Sequence, residues 1–121
     1  MSATDSKAIV DKFFDAWTSG DFKTVRSLVH DDVSYSDPID QFDTHDAYIG
    51  SLQRFSQVMK AAEVQHVFVD GTDVCVIYDL VTNTPIPPSP TAEWFHLRDG
   101  KISDMRVIFD ARPFAAMSEK R

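Results

Sequence analysis

The sequence predicts an α+β domain in which three N-terminal helices cover one face of a mostly antiparallel sheet. Two observations carry that reading. Apolar residues recur at helical spacing through the first half of the chain, then at the alternate spacing of strands through the second. Helices that precede a block of strands must bury their apolar stripes against the sheet that follows. Length agrees: 121 residues, 43% hydrophobic and 26% charged, suit one domain spanning 1–121. Its core is expected over about 6–112, with both ends, including everything after Pro113, fraying.

The first helix is read from Ile9, Val10, Phe13, Phe14 and Trp17, with Gly20 as its stop. Asp21 caps a second, shorter helix whose apolar face is Phe22, Val25, Leu28 and Val29. A short alternating strand, Val33 to Asp37, comes next. Thr44 then caps a third helix that carries Tyr48, Ile49, Leu52, Phe55 and Met59 on one stripe. Val64–Asp70, Asp73–Thr82, Ala92–Arg98 and Lys101–Asp110 are rich in β-branched and aromatic residues and read as strands. Asp70-Gly71-Thr72 and Asp99-Gly100 are turn signals that close two hairpins. The run Pro85-Ile86-Pro87-Pro88-Ser89-Pro90 reads as an extended loop.

Strand parity separates the faces. Val74, Val76, Tyr78 and Leu80 fall on the helix side, as do Glu93, Phe95 and Leu97, and Met105, Val107 and Phe109. Trp94, His96, Asp104, Arg106 and Ile108 fall on the other, where large apolar and charged side chains together suit a homodimer contact. Two acids share the apolar face. Asp37 lies in phase with Val33 and Tyr35, and Pro38 then stops the ladder. A carboxylate in a partly apolar pocket is how proteins build a general base, although Asp-Pro also opens turns. Glu93 lies in phase with Phe95 and Leu97, near the strand start, where a solvated rim position is the plain alternative.

Composition narrows the rest. A net charge of −7, with no basic cluster beyond Lys120-Arg121, argues against a nucleic-acid partner. A polar N-terminus without a secretion signal, and no run approaching the roughly 20 apolar residues of a membrane span, point to the cytoplasm. Cys75, the one cysteine, sits in the most apolar run and reads as a buried, unreactive thiol. The four histidines show no ligand spacing, so no metal is expected, and no glycine-rich phosphate loop or nucleophile elbow is present. His66 is ambiguous: it alternates with Val64 and Phe68, but Gln65, Val67 and Val69 form an equally apolar row.

The order of these pieces resembles the nuclear transport factor 2-like superfamily, in particular its SnoaL-like and ketosteroid-isomerase-like members. The resemblance rests on Phe13, Trp17 and Ser19-Gly20-Asp21-Phe22, on His30-Asp31-Asp32-Val33-Ser34-Tyr35-Ser36-Asp37-Pro38, and on the segment from Trp94 to Ile102. It implies a strongly curved sheet wrapped round the helices as a cone with a pocket at its open end, and dimers in many members. In ketosteroid isomerases the Asp of such an Asp-Pro pair is the general base, which corresponds to Asp37. Their oxyanion hole joins a first-helix tyrosine to a carboxylic acid held neutral on a long strand. Glu93 falls at the acid position and Phe13 at the tyrosine position, and Phe13 has no hydroxyl. The loss of one such donor costs roughly 2.7–4 kcal/mol of transition-state stabilisation. Epoxide hydrolases of the superfamily use an Asp-Arg-Asp set, but parity sends Arg106 to the face opposite Asp37.

Two functions follow as expectations. One is a cofactor-free enzyme of isomerase, cyclase or dehydratase type, in which Asp37 moves a proton beside a carbonyl and Glu93 donates to the resulting enolate. Its substrate would be a small hydrophobic molecule held by Phe13, Trp17, Tyr35 and Tyr78, against an apolar wall of Phe95, Met105, Val107 and Phe109. The other is a non-catalytic ligand-binding or dimerisation module, which the missing hydroxyl at Phe13 favours.

Overall fold

The computed structural model describes residues 3–119, and side chains over 5–115. The elements are α1 (Ala3–Thr18), α2 (Phe22–Leu28), β1 (Val29–Ser36), β2 (Gln41–Phe42), α3 (His45–Ser56), β3 (Met59–Asp70), β4 (Asp73–Thr82), β5 (Ser89–Arg98), β6 (Lys101–Ile108) and α4 (Arg112–Glu119). One sheet runs β2-β1-β6-β5-β4-β3, curved and unclosed, with the N-terminal helices packed on it. All pairs are antiparallel except β1 with β6, a parallel contact between segments far apart in sequence.

Local chemistry ends and starts these elements. Gly20 turns α1 off with a φ of 81°, and the Asp21 amide returns to the Ala16 carbonyl at 2.8 Å, closing a Schellman-type cap. Asp21 then accepts from the Thr24 amide, and Thr44 from the Ala47 amide, so both shorter helices start on side-chain caps. Asp99 and Gly100, with φ of 54° and 76°, form the two-residue turn of the β5–β6 hairpin. Register breaks that leave Gln65 of β3 and Ser103 of β6 as extra residues bend the strands.

The expected parity holds from β4 to β6. Val74, Val76, Phe95, Leu97, Met105 and Val107 are buried, and Trp94 and Ile108 are exposed, while Ile102, out of phase with Met105, is buried because the register shifts beside it. Phe13 and Phe14 of α1 meet Phe95 edge-on at 5.6 and 5.9 Å, so α1 seals this part of the sheet. Each such buried aromatic contributes on the order of 1.5–3 kcal/mol.

Several expectations need correction. Ser89 and Pro90 belong to β5 rather than to the preceding loop, paired with Leu80 and Asp79. β6 stops opposite Ala92, so β5 is locally an edge there, where proline is tolerated. Val29 and Met59 open β1 and β3 instead of extending helices. The segment from Arg112 to Glu119 forms α4 where a fraying tail was expected; Asp110 starts it by accepting from the Arg112 amide and binding its guanidinium at 2.7 Å. Fraying of residues 1–2 and 120–121 lies outside the described residues. Cys75 is only partly buried and sits on the outer face, with its thiol pushed up by burial and by the charge of Glu93. The bulge at Val64/His66 turns His66 outward, where its ring stacks on Phe68 at 6.1 Å.

Candidate active site

The later residues of β4 and β6 and the first residues of β5 face a cavity of about 180 Å³ that α1 and α3 also line. Tyr78, Leu80, Thr91, Glu93, Val107 and Phe109 come from the sheet side. Phe13 and Trp17 come from α1, while Tyr48, Ser51, Leu52 and Phe55 come from α3. Tyr35, Asp37, Ile39, Asp40 and Phe114 complete it. The space is comparable to a cavity of about 150 Å³ that admits a benzene ring, so one small ring fits inside.

Glu93 forms the polar floor of the cavity. Only 4% of it is exposed, and β5 holds it opposite Val76 and Val107. Tyr78 donates to its Oε1 at 2.9 Å. Burial pushes the Glu93 carboxyl up to about 7; the Tyr78 bond opposes that rise, and the nearby Asp37 charge adds to it. A solvated rim position is therefore ruled out: Glu93 is a buried acid that carries its proton in mildly acidic solution.

Asp37 sits at the rim, immediately after β1, and is held quite differently. Its Oδ1 accepts from the Ile39 and Asp40 amides, both at 2.7 Å, and its Oδ2 accepts from the Tyr35 hydroxyl at 2.6 Å. Its own amide donates to the Asp40 carbonyl at 2.9 Å. Asp37 thus opens an Asx-type turn and lines the cavity as well, and the turn is what aims its carboxylate.

Of the binding residues expected from sequence, Phe13, Trp17, Tyr35, Tyr78, Val107 and Phe109 line the cavity. Phe95 and Met105 do not. They are 0% and 2% exposed, pair with each other across β5 and β6, and lie beneath α1 in the core. Parity placed them on the correct face but could not report depth along the strand. Arg106 is exposed on the outer face, away from Asp37, which removes an Asp-Arg-Asp arrangement with these residues. Among the described residues no group of three or more His, Cys, Asp or Glu side chains is placed to hold a metal.

Sequence reasoning missed Tyr48 as a site residue, since it lies on the apolar stripe of α3 and reads as core. It is 3% exposed, its ring lies 4.8 Å from that of Tyr35, and its hydroxyl proton is held tightly by burial and by the Glu93 charge. Phe114 was missed with α4; its ring meets Phe109 at 5.4 Å and closes one side of the cavity. The Trp17 indole Nε1 is buried without an acceptor among the described residues.

Comparison with known proteins places this geometry. Residues 10–105 match the SnoaL-like domain family. A solved protein from Kribbella flavida is 31% identical, covering 94% of this chain and 93% of that one, with a TM-score of 0.86. A proposed ketosteroid isomerase from the same organism is 18% identical, covering 89% of this chain and 79% of its own, with a TM-score of 0.77. An LEH-like epoxide hydrolase of M. tuberculosis is 20% identical over 98% of each chain, with a TM-score of 0.78. The last two likenesses show the fold alone, and their different chemistries on one fold leave function to the site. Comparison with curated proteins gives no match.

Proposed function

This chain belongs to the SnoaL-like family, and we propose that it is an acid–base enzyme acting on a small, largely apolar carbonyl compound. The observation that carries the proposal is the pairing of Glu93 with Asp37: a buried carboxyl raised to about 7 and a rim carboxylate line one apolar cavity. In the reaction, a carbon beside the carbonyl gives its proton to Asp37. The C–H electron pair becomes a C=C bond, and the carbonyl π pair moves onto oxygen. Glu93, still protonated, donates a hydrogen bond to that oxygen, where charge develops. Return of the proton to another carbon completes an isomerisation; attack of the enolate on a second carbonyl of the substrate, whose oxygen takes the proton from Asp37, a cyclisation; and loss of a β-hydroxyl as water, with the Asp37 proton, a dehydration. None of these steps requires a cofactor or a metal.

A test independent of the reaction subtype is exchange of α-hydrogens for deuterium. Small cyclic ketones and enones incubated with the protein in D2O should lose their α-proton signals by NMR, and Asp37→Asn should stop the loss. An Asp37→Asn protein that binds the ketone and exchanges it at the wild-type rate would sink the proposal.

A non-catalytic binding module is the second reading. Phe13 supplies no hydroxyl, and three donors of the protein already occupy the Asp37 carboxylate. Ligand retention with no exchange in any protein would favour it. The convex sheet face is the proposed homodimer contact, with Phe68 and Ile108 each 60% exposed. Ile108→Asp should then convert a dimer to monomer in light scattering while leaving the fold intact; a monomeric wild-type protein would refute the contact.

A further inference from the structure

We infer that the Tyr48 hydroxyl is the second hydrogen-bond donor to the ligand's oxygen, acting beside Glu93 and replacing the hydroxyl that Phe13 lacks. The inference rests on the carbonyl reading above and adds a residue and a ligand requirement to it. The cavity has three phenols, each with one proton to give. Tyr35 spends its proton on Asp37 and Tyr78 on Glu93, so neither can serve a ligand without losing a present bond. Tyr48 differs. Among the described residues no hydrogen bond occupies its hydroxyl, although the residue is buried and lines the cavity. Its oxygen is not among the sealed, unpaired polar atoms, so it opens onto the cavity, where an incoming oxygen can accept its proton without breaking a bond within the protein.

Position supports the pairing with Glu93. The ring of Tyr48 is held against Tyr35, on the side of the cavity facing the sheet, and its hydroxyl lies close enough to Glu93 to feel its charge. Trp17 is the competing donor, because its Nε1 also lacks an acceptor. That nitrogen is sealed within the packing, however, so a ligand reaches it only if α1 or the ring moves. A phenol and a buried carboxyl lining one cavity, with the Asp37 carboxylate at its rim, select a neutral compound with one carbonyl oxygen and disfavour a carboxylate ligand. The cavity of about 180 Å³ limits the enclosed part to a single ring bearing that oxygen.

Acetophenone is a suitable probe: one ring, one carbonyl. Its C=O stretch, recorded bound to the wild-type protein, should lie below its value in an apolar solvent. Tyr48→Phe keeps the ring contact with Tyr35 and removes only the hydroxyl. It should recover about half of that displacement and weaken binding about tenfold, while the melting temperature holds. Tyr35→Phe should leave the stretch unchanged. Full displacement and affinity in Tyr48→Phe would overturn the assignment and leave the Asp37–Glu93 chemistry standing. An equal effect of Tyr35→Phe would overturn it as well. A wild-type protein whose bound ketone shows no displacement would overturn both this inference and the carbonyl reading beneath it.

Discussion

The rim and the floor of the cavity each present one carboxyl, and the protein holds the two by opposite means. At the rim, Asp37 receives two backbone amides and a phenol, the partners that a carboxylate accepts. On the floor, Glu93 receives one phenol and is otherwise surrounded by apolar strand residues. Backbone donors come from a turn, which is why the rim acid follows the end of β1 and precedes a proline. Burial comes from the middle of a sheet, which is why the floor acid lies between β4 and β6. Two groups of the same chemistry are thereby given different surroundings, a hydrogen-bonded rim and a buried floor, which suits one to take a proton and the other to donate a hydrogen bond.

The strongest way to break the comparison is to exchange charge for amide at each position. Asp37→Asn keeps an acceptor for the Ile39 and Asp40 amides and removes the base, so α-hydrogen exchange should fall about 10³-fold. Glu93→Gln keeps a donor on the floor, so the same rate should fall only about tenfold. Equal losses at the two positions would show that they do not have distinct roles.

The next effect is on stability. Folded Glu93 keeps its proton up to about pH 7, whereas the unfolded side chain releases it near 4.5. Between those values the native state binds more protons, so stability should fall as pH rises, by roughly 3 kcal/mol in total. The contribution is complete below pH 4.5 and lost above about 7. Denaturant titrations of Glu93→Gln should show that slope removed.

The smallest effect sharpens the floor alone. The Tyr78 bond lowers the Glu93 value against the upward push of burial. Tyr78→Phe should therefore raise the midpoint of the Glu93 carboxyl carbon resonance by about one pH unit. An unchanged or lowered midpoint would mean that Tyr78 does not donate to Glu93 in solution.

Much of this arrangement was legible in the chain because the period of a strand is local. Glu93 in phase with Phe95 and Leu97, and Asp37 in phase with Val33 and Tyr35, can each be read within five residues. The helix caps at Asp21 and Thr44 and the turn at Asp99-Gly100 are equally local, since one side chain or one φ value sets them. Depth was not legible. Phe95 and Glu93 share a face and differ by two residues, yet one is core and the other cavity floor, because Phe13 and Phe14 pack onto Phe95 while Glu93 opens to the cavity. His66 had two equal rows to choose from, and a bulge at Val64/His66 made the choice. Pro90 enters a strand only because β6 stops short of it.

The sequence by itself determined the order of the first three helices and the five long strands, the side of the sheet each acid faces and the turn signal at Asp37-Pro38, because each depends on neighbours along the chain. Only the tertiary structure decided that the two acids share a cavity and that Tyr48 joins them with its hydroxyl unspent. Those facts depend on where α1, α3 and α4 lie over the sheet. Packing between distant segments sets that placement, and no local period encodes it.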